Sequence, residues 1–258
     1  GAVPEPQLMM PIENGYLVGW QARFDGISLL GLIQSDGFDS IETLSESGCA
    51  APELIARGAP GDEAVILAMA AGREPFSCFD DDGIIGPPTR LQTAFVFPDS
   101  LFVEVVSDFE IGEPIIYLDV VPRPGGAWVL WQSDGSISTF PPPVFAMAVD
   151  DFGFPTGQSF EALPGGYLPP YGVAPLRGGF ALAYLDAFDP GLPGLVVQAF
   201  DADGAFAGTG TVTLLNFVPP EPLAVLASPD DNAVLVAWNA NDGGPEDVTG
   251  LVRFDCRP

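Results

Sequence analysis

Apolar residues along the chain fall in short runs that are separated by Gly, Pro and Asp, and five of these runs align with one another. The copies follow at intervals of roughly 50 residues, the range in which repeat architectures are recognised. Apolar residues nowhere recur at helical spacing for long enough to form a helix. The pattern therefore predicts an all-β chain built from repeats. The aligned runs end in a large side chain, at Trp20, Met69, Trp131, Tyr184 and Trp238.

Each repeat is long enough for four short strands. A second apolar run follows the first and ends in a turn signal, as at Asp201–Gly204. Asp-Gly suits a tight hairpin between the third and fourth strands, because Gly adopts positive φ at little cost and Asp tolerates it. Four-stranded units repeated about a centre form a β-propeller. The strands that we predict in the fourth copy are residues 171–176, 180–185, 195–200 and 208–214.

Five copies predict a five-bladed β-propeller of four-stranded blades in a single domain, residues 1–258. Residues 89–116 exceed their counterparts in length, and we interpret them as an extended outer hairpin on blade 2 or 3. Six blades, one of them degenerate, remain the alternative. The fifth copy stops in its third strand, so blade 5 is expected to have three strands. The predicted blades are residues 5–48, 49–98, 110–163, 167–216 and 218–258.

The fourth copy reads GGFALAY at 178–184 and VVQAFDADG at 196–204. This order of inner strand, second strand, loop, third strand and outer strand resembles the repeats of bacterial secreted β-propellers. The resemblance covers nearly the whole chain and includes no motif that belongs to one enzyme family. It implies an extracellular or periplasmic protein, which could be anchored to the surface through an N-terminal segment that has been removed.

The charge balance excludes several kinds of chemistry. The chain has 35 acidic and 8 basic residues, a formal net charge of −27, and no His. The basic residues are all Arg. Without His there is no Ser-His-Asp triad, and without Lys there is no Schiff base and no Walker phosphate loop. The Arg residues are scattered, which argues against nucleic acid as a partner. No apolar run reaches the ~18 residues of a membrane-spanning helix.

The aligned large side chains have two interpretations. They could form aromatic platforms that stack on sugars, as in some propellers. They could also be wedges between neighbouring blades, each contributing ~1.5 to 3 kcal/mol by burial, and we favour this interpretation because one fixed strand position recurs in every copy.

Asp-x-Asp-Gly turns are candidate calcium sites, because Ca²⁺ binds carboxylate and carbonyl oxygens. They lack the bidentate Glu and the earlier ligands of an EF-hand loop. We therefore favour hairpin turns without metal and predict no cofactor, with Ca²⁺ as the alternative. The candidate residues are Asp80, Asp82, Asp201 and Asp203.

Loops between second and third strands share one rim with the linkers between blades, and a rigid scaffold usually carries its binding residues on such loops. We predict a ligand-binding rim there for a cation, a glycan or a basic protein, with a merely solvated acidic surface as the alternative. Its candidate residues are Asp25, Asp134, Asp186, Asp189 and Asp242.

A carboxylate-dependent glycosidase needs two carboxyl groups about 5 to 9.5 Å apart and neither His nor Lys. Five-bladed glycosidases place such acids on their inner strands, facing the central channel. The inner strands predicted here, at 7–11, 54–58, 115–121, 171–176 and 223–228, contain only Asp119. The leading hypothesis is therefore a secreted or surface binding scaffold that is not an enzyme. A carbohydrate- or calcium-binding module is the first alternative, and a glycosidase is the second.

Cys49, Cys78 and Cys256 leave at least one thiol unpaired. The predicted topology opposes every pairing, because a disulfide needs Cα atoms within ~7 Å. Cys49 with Cys78 is the pairing that it opposes least.

Overall fold

A computed structural model describes residues 6–12, 15–22, 27–34, 37–46, 56–60, 64–71, 89–97, 102–134, 143–165, 172–186, 194–213, 221–228, 233–241 and 247–256. The chain divides into two compact units. Unit 1 comprises residues 1–136 and 145–160, and unit 2 comprises residues 137–144 and 161–258. Within the described residues, no helix is long and apolar enough to cross a membrane.

The described strands form five antiparallel sheets, in which neighbours in the sheet are also neighbours in the chain. Sheet 1 contains β1 (Pro6–Ile12), β2 (Gly15–Ala22), β3 (Ile27–Gln34) and β4 (Gly37–Glu46). Sheet 2 contains β5 (Ala56–Pro60), β6 (Val65–Ala71), β7 (Arg90–Phe97) and β8 (Phe102–Glu110). Sheet 3 contains β9 (Ile115–Arg123), β10 (Gly126–Ser133), β11 (Val144–Val149) and β12 (Phe160–Leu163). Sheet 4 contains β13 (Gly172–Leu176), β14 (Gly179–Asp186), β15 (Gly194–Phe200) and β16 (Phe206–Thr213). Sheet 5 contains β17 (Glu221–Ala227), β18 (Ala233–Asn241) and β19 (Asp247–Asp255).

The prediction of repeated four-stranded units is confirmed for four sheets, and the fifth has three strands among the described residues, as expected. The four strands predicted in the fourth copy match β13 to β16 within two residues at each end. Residues 89–116 contain an outer hairpin of the second sheet, as predicted, but it completes the four-stranded sheet and does not extend it. They contain β7 and β8, the third and fourth strands of sheet 2, so this sheet extends to Glu110 and beyond the predicted limit of 98.

The core of unit 1 lies on both faces of sheet 2. Leu67 and Met69 pack with Met10 and Leu17 of sheet 1. Ile66, from the opposite face of the same strand, belongs to a second cluster with residues of sheet 3. Side chains alternate between faces along a strand, and a strand that is buried on both faces is apolar without interruption. This explains why the aligned runs are continuous rather than alternating.

The large side chains at the ends of these runs pack between sheets where the structure describes them. Trp131 is 6% exposed and stacks on Phe145, with ring centroids 5.7 Å apart. In unit 2, Tyr184 is 4% exposed and packs with Val144 and Leu163. The packing interpretation is confirmed for these two residues and for the buried Met69. The side chains of Trp20 and Trp238 lie outside the described set.

Candidate functional site

The first strands of the sheets carry one described carboxylate. In unit 1, β1 lies beside β5 and β5 beside β9, and in unit 2, β13 lies beside β17. Residues i and i+2 of a strand share a face, and Tyr117 donates its hydroxyl to Asp119 Oδ2 at 3.3 Å. The backbone N–H of Val120 donates to Asp119 Oδ1 at 2.9 Å. Both carboxylate oxygens are therefore engaged by the strand that carries them.

The predicted set of inner-strand acids needs one addition. Strand β17 begins at Glu221, two residues before the predicted start at 223. The side chain of Glu221 lies outside the described set. Among the described side chains of the first strands, Asp119 is the one carboxylate.

A second group of polar residues lies where β10 ends. Ser133 donates its hydroxyl to Glu113 Oε2 at 3.1 Å. The N–H of Asp134 donates to the carbonyl of Pro114 at 2.6 Å. These two bonds fasten the linker between sheets 2 and 3 to the end of the second strand of sheet 3. We call Glu113, Ser133 and Asp134 the linker cluster.

The beginning of the same linker is fastened to sheet 2. The N–H groups of Ile111 and Gly112 both donate to the carbonyl of Thr89, at 2.9 and 3.3 Å. Thr89 immediately precedes β7, so the linker bridges the ends of two sheets on the side predicted for the binding rim. Asp134 is exposed and Glu113 is half-buried there. Sequence reasoning identified Asp134 and missed Glu113.

One guanidinium lies at this end of sheet 2. Arg90 donates from Nε to Asp108 Oδ1 at 2.9 Å and from Nη2 to Asp108 Oδ2 at 2.5 Å. Gln92 donates to the same Oδ2 at 3.2 Å. The bidentate pair neutralises one carboxylate at the rim, so the negative charge of this region comes from the remaining acids, including the linker cluster.

The other predicted rim residues are only partly described. Asp186 is half-buried at the end of β14 in unit 2, where it pairs in register with Gly194. Asp25, Asp189 and Asp242 lie outside the described residues.

The candidate calcium turn of sheet 4 uses its first carboxylate to close the turn. Asp201 Oδ1 accepts the N–H of Asp203 at 3.0 Å and the N–H of Ala205 at 2.9 Å. The turn therefore spans five residues, with Gly204 at φ 80°, rather than being the tight Asp-Gly hairpin that was predicted. Asp203 is exposed. The described part of the chain contains no group of three acidic or Cys side chains that could hold a metal ion.

Sheet 3 repeats this turn. Asp150 Oδ1 accepts the N–H groups of Phe152 and Phe154 at 3.0 and 2.9 Å, and Gly153 has φ 79°. The shared sequence is Asp-x-x-Gly, with Asp first and Gly fourth. Asp80 and Asp82 lie outside the described residues. In the sequence they precede Arg90, where the third strand of sheet 2 begins.

Cys256 is a free thiol that follows β19. Burial raises the pKa of this thiol above its usual range, Arg177 opposes the increase and Asp255 adds to it. Arg177 also donates to the backbone carbonyl of Cys256 at 2.9 Å. Cys49 and Cys78 lie outside the described residues.

No protein-family model matches the chain, and no curated protein matches it. Several solved structures match the chain. The SapL1 lectin in complex with α-methyl fucoside has a TM-score of 0.56 at 12% identity, covering 96% of this chain and 78% of that chain. A puromycin hydrolase mutant complexed with PGG has a TM-score of 0.54 at 15% identity, covering 98% and 38%. The Penicillium chrysogenum α-L-arabinanase complexed with arabinobiose has a TM-score of 0.53 at 11% identity, covering 93% and 77%.

These similarities concern the fold. Together with the five antiparallel sheets, they show a β-propeller-like all-β protein. The expected resemblance to β-propellers is confirmed at the level of architecture.

Proposed function

We propose that the five sheets are the blades of one five-bladed β-propeller, and that this propeller is a secreted or surface binding scaffold without catalytic activity. The buried wedge residues support the first part, because a large side chain at one strand position recurs between neighbouring sheets. The acidic, Lys-free composition supports the second, because self-repulsion keeps such a protein soluble outside the cell.

One observation carries the non-enzymatic part of the proposal. Asp119 is the one described carboxylate on the first strands, and both of its oxygens accept hydrogen bonds from its own strand. A general acid needs a raised pKa and a retaining or inverting glycosidase needs a second carboxyl nearby. The two hydrogen bonds support a structural role for Asp119 in β9.

The binding surface in this proposal is the acidic rim, with Asp25, Asp134, Asp186, Asp189 and Asp242, to which we add Glu113. Its ligand is a cation or a basic protein, because clustered carboxylates focus a negative potential. Exposed charges are screened beyond ~8 Å at physiological ionic strength. Binding should therefore weaken as salt is added.

Binding to immobilised poly-L-lysine, compared with poly-L-glutamate at low and at physiological salt, tests the rim. We expect Glu113→Gln and Asp134→Asn each to weaken binding by roughly two- to fivefold, the value of an exposed ion pair. Asp203→Asn is the matched control, because it removes one exposed carboxylate from a hairpin turn. Equal effects of all three substitutions would mean that net charge, rather than the rim, attracts the polycation.

Carbohydrate binding is the second candidate, and the similarity to a lectin in complex with α-methyl fucoside favours it. Buried Trp131 and Tyr184 are unavailable as sugar platforms, so such a site would use other residues. Titration with α-methyl fucoside and a glycan array test this candidate. Incubation with arabinan and with aryl glycosides tests the hydrolase alternative, and turnover of either substrate would overturn the non-enzymatic proposal.

A further inference from the structure

Four phenylalanine rings of unit 1 meet where β7 approaches the Asp-x-x-Gly turn of sheet 3. Phe95 and Phe97 lie on one face of β7, because residues i and i+2 of a strand share a face. Phe152, in the turn, meets Phe95 edge-on with ring centroids 5.5 Å apart. Phe102 begins β8 and stacks on Phe97 at 6.5 Å. We call these four residues the aromatic patch.

The aromatic patch reaches the surface. Phe95 is 7% exposed, whereas Phe102 is 51% exposed, and the other two residues are half-buried. The turn packs against β8, because a Cβ atom at Gly153 would be 3.3 Å from Val106 Cγ2. A surface that is already fixed in place loses little conformational entropy on binding, and aromatic side chains are enriched at protein interfaces. The patch therefore has the composition and the packing of a docking surface.

The charge beside the patch is negative. Glu104 lies opposite Phe95 across the ladder of β7 and β8, two residues after Phe102, so it belongs to the same face as both rings. Its side chain is exposed. Arg90 is the one basic residue in the sequences of β7, β8 and the turn, and it is bound to Asp108. A ligand at the patch therefore meets apolar rings next to a carboxylate.

The patch and the acidic rim lie at opposite ends of sheet 2. Strand β7 begins at Arg90, next to the Thr89 carbonyl that fastens the linker, and ends at Phe97. An antiparallel strand of this length spans about 24 Å. The patch is therefore a separate surface, and the inference drawn from it does not rest on the proposed binding rim.

We propose that the aromatic patch is a docking site for an apolar and basic segment of a partner protein. An apolar side chain of the segment covers Phe102, and a neighbouring Lys or Arg pairs with Glu104. Covering a half-exposed aromatic ring stabilises the complex through the hydrophobic effect, and a cation close to the rings is attracted by their faces. The net charge of −27 also favours a basic partner.

Other occupants fit this charge less well. A second copy of the chain carries the same carboxylate and the same net charge of −27, so two patches facing each other would bring like charges together. An anionic membrane surface is repelled for the same reason. A neutral glycan gains no attraction from the negative potential. The apolar and basic segment is the occupant that uses both the rings and the carboxylate.

Fluorescence anisotropy with three labelled peptides, of alternating Lys and Leu, Lys and Ser, and Glu and Leu, tests the proposal at physiological salt. We expect the Lys-Leu peptide to bind most tightly, because it combines the charge with apolar side chains. Phe102→Ala should weaken its binding by roughly five- to tenfold. Phe206→Ala is the matched control and should leave the affinity unchanged, because Phe206 begins β16 as Phe102 begins β8 and is 59% exposed.

Charge reversal at Glu104 provides a second test that leaves the core intact, since this side chain is exposed. Glu104→Gln should weaken binding of the Lys-Leu peptide by roughly two- to fivefold, the value of an exposed ion pair. Glu104→Lys should weaken it further and should strengthen binding of the Glu-Leu peptide. Thermal melts of each variant separate loss of binding from loss of folding.

Several results would overturn the proposal. One is that the Lys-Leu peptide fails to bind at millimolar concentration, and another is that Phe102→Ala and Phe206→Ala weaken it equally. Affinities for the two Leu peptides that do not change in Glu104→Lys would also contradict it. Loss of peptide binding in Glu113→Gln would assign the peptide to the acidic rim. Phosphatidylcholine vesicles or α-methyl fucoside that bind through Phe102, when the peptide does not, would identify a membrane or a sugar as the occupant.

Discussion

The hydroxyl of Thr93 donates a hydrogen bond to the carbonyl oxygen of Gly153 at 2.7 Å. Thr93 lies in β7 of sheet 2 and is fully buried, whereas Gly153 lies in the Asp-x-x-Gly turn of sheet 3. The turn approaches β7 closely, because a Cβ atom at Gly153 would be 3.2 Å from the carbonyl oxygen of Ala94. One hydroxyl therefore fastens the turn of one sheet to the third strand of the next.

Thr93→Val tests this bond. Valine has nearly the same shape, but it removes the hydroxyl that bonds both the buried Gly153 carbonyl and the Ser107 hydroxyl, so we expect a loss of ~1 to 3 kcal/mol in the free energy of unfolding. Thr209→Val is the matched control. The Thr209 hydroxyl donates to Val197 O at 3.2 Å from an exposed position, and its removal should cost at most about 0.5 kcal/mol. Equal losses in urea unfolding would show that the Thr93 bond has no special role.

A strand that is buried on both faces is a continuous apolar run, so its position can be predicted from the sequence. Strand β14 is an example, because its apolar residues lie between a Gly and an Asp. Sheet 2 was assigned wrongly for a physical reason. The sequence from Cys78 to Gly83 has the same pattern as the turns at Asp150 and Asp201. This pattern therefore predicts the end of a third strand at Gly83. The actual third strand follows it at Arg90–Phe97. Nothing in the local pattern distinguishes the two.

The candidate site was predictable only in part. Asp134 follows the second strand of its repeat, and strand order alone places it at the rim. Glu113 precedes a first strand, and its bond to Ser133 depends on how the linker from sheet 2 folds back over the end of β10. Acids in the linkers were a signal that could have found it, since linkers and second-to-third connections share that rim.

Trp131→Ala should destabilise the protein by ~3 to 5 kcal/mol, because the indole is buried in the cluster shared by sheets 2 and 3. Trp131→Phe keeps an aromatic ring against Phe145 and should cost clearly less. Equilibrium urea unfolding measures both. If the alanine variant is as stable as the phenylalanine variant, the wedge interpretation fails for this residue.

Asp201→Ala should cost about 1 kcal/mol, because the carboxylate accepts two backbone N–H groups within its turn, as a helix N-cap does. Asp203→Ala in the same turn removes an exposed carboxylate and should change stability by less than about 0.5 kcal/mol. The reverse order in thermal unfolding would show that Asp203, and not Asp201, stabilises the turn.

The turn at Asp201 should not bind calcium, so any difference between the melting temperatures in Ca²⁺ and in Mg²⁺ at the same ionic strength should be unchanged in Asp203→Asn. A specific Ca²⁺ site would stabilise the native state by mass action, and it would need several free oxygen ligands. Asp201 uses Oδ1 within its own turn. Thermal melts with either cation decide the matter. A rise that is specific to Ca²⁺ and absent in Asp203→Asn would restore the metal interpretation of this turn.

Cys256 should react slowly with iodoacetamide, because only the thiolate is nucleophilic and burial raises the pKa of this thiol above its usual range. In a Cys49→Ser, Cys78→Ser variant, we expect the midpoint of the rate against pH to lie above that of the same chain unfolded in guanidinium. Asp255→Asn should lower the midpoint, and Arg177→Gln should raise it.

The same shift sets the direction of a pH effect on stability. Between the unfolded and the folded pKa, the folded chain holds a proton that the unfolded chain has lost. The free energy of unfolding should therefore fall as pH rises through that window, and the fall should be smaller in a Cys256→Ser variant. Arg177→Lys keeps the positive charge near the thiol and should leave the alkylation midpoint close to that of the parent. A midpoint that moves as far in Arg177→Lys as in Arg177→Gln would mean that the hydrogen bond to the Cys256 carbonyl, rather than the charge, controls this thiol.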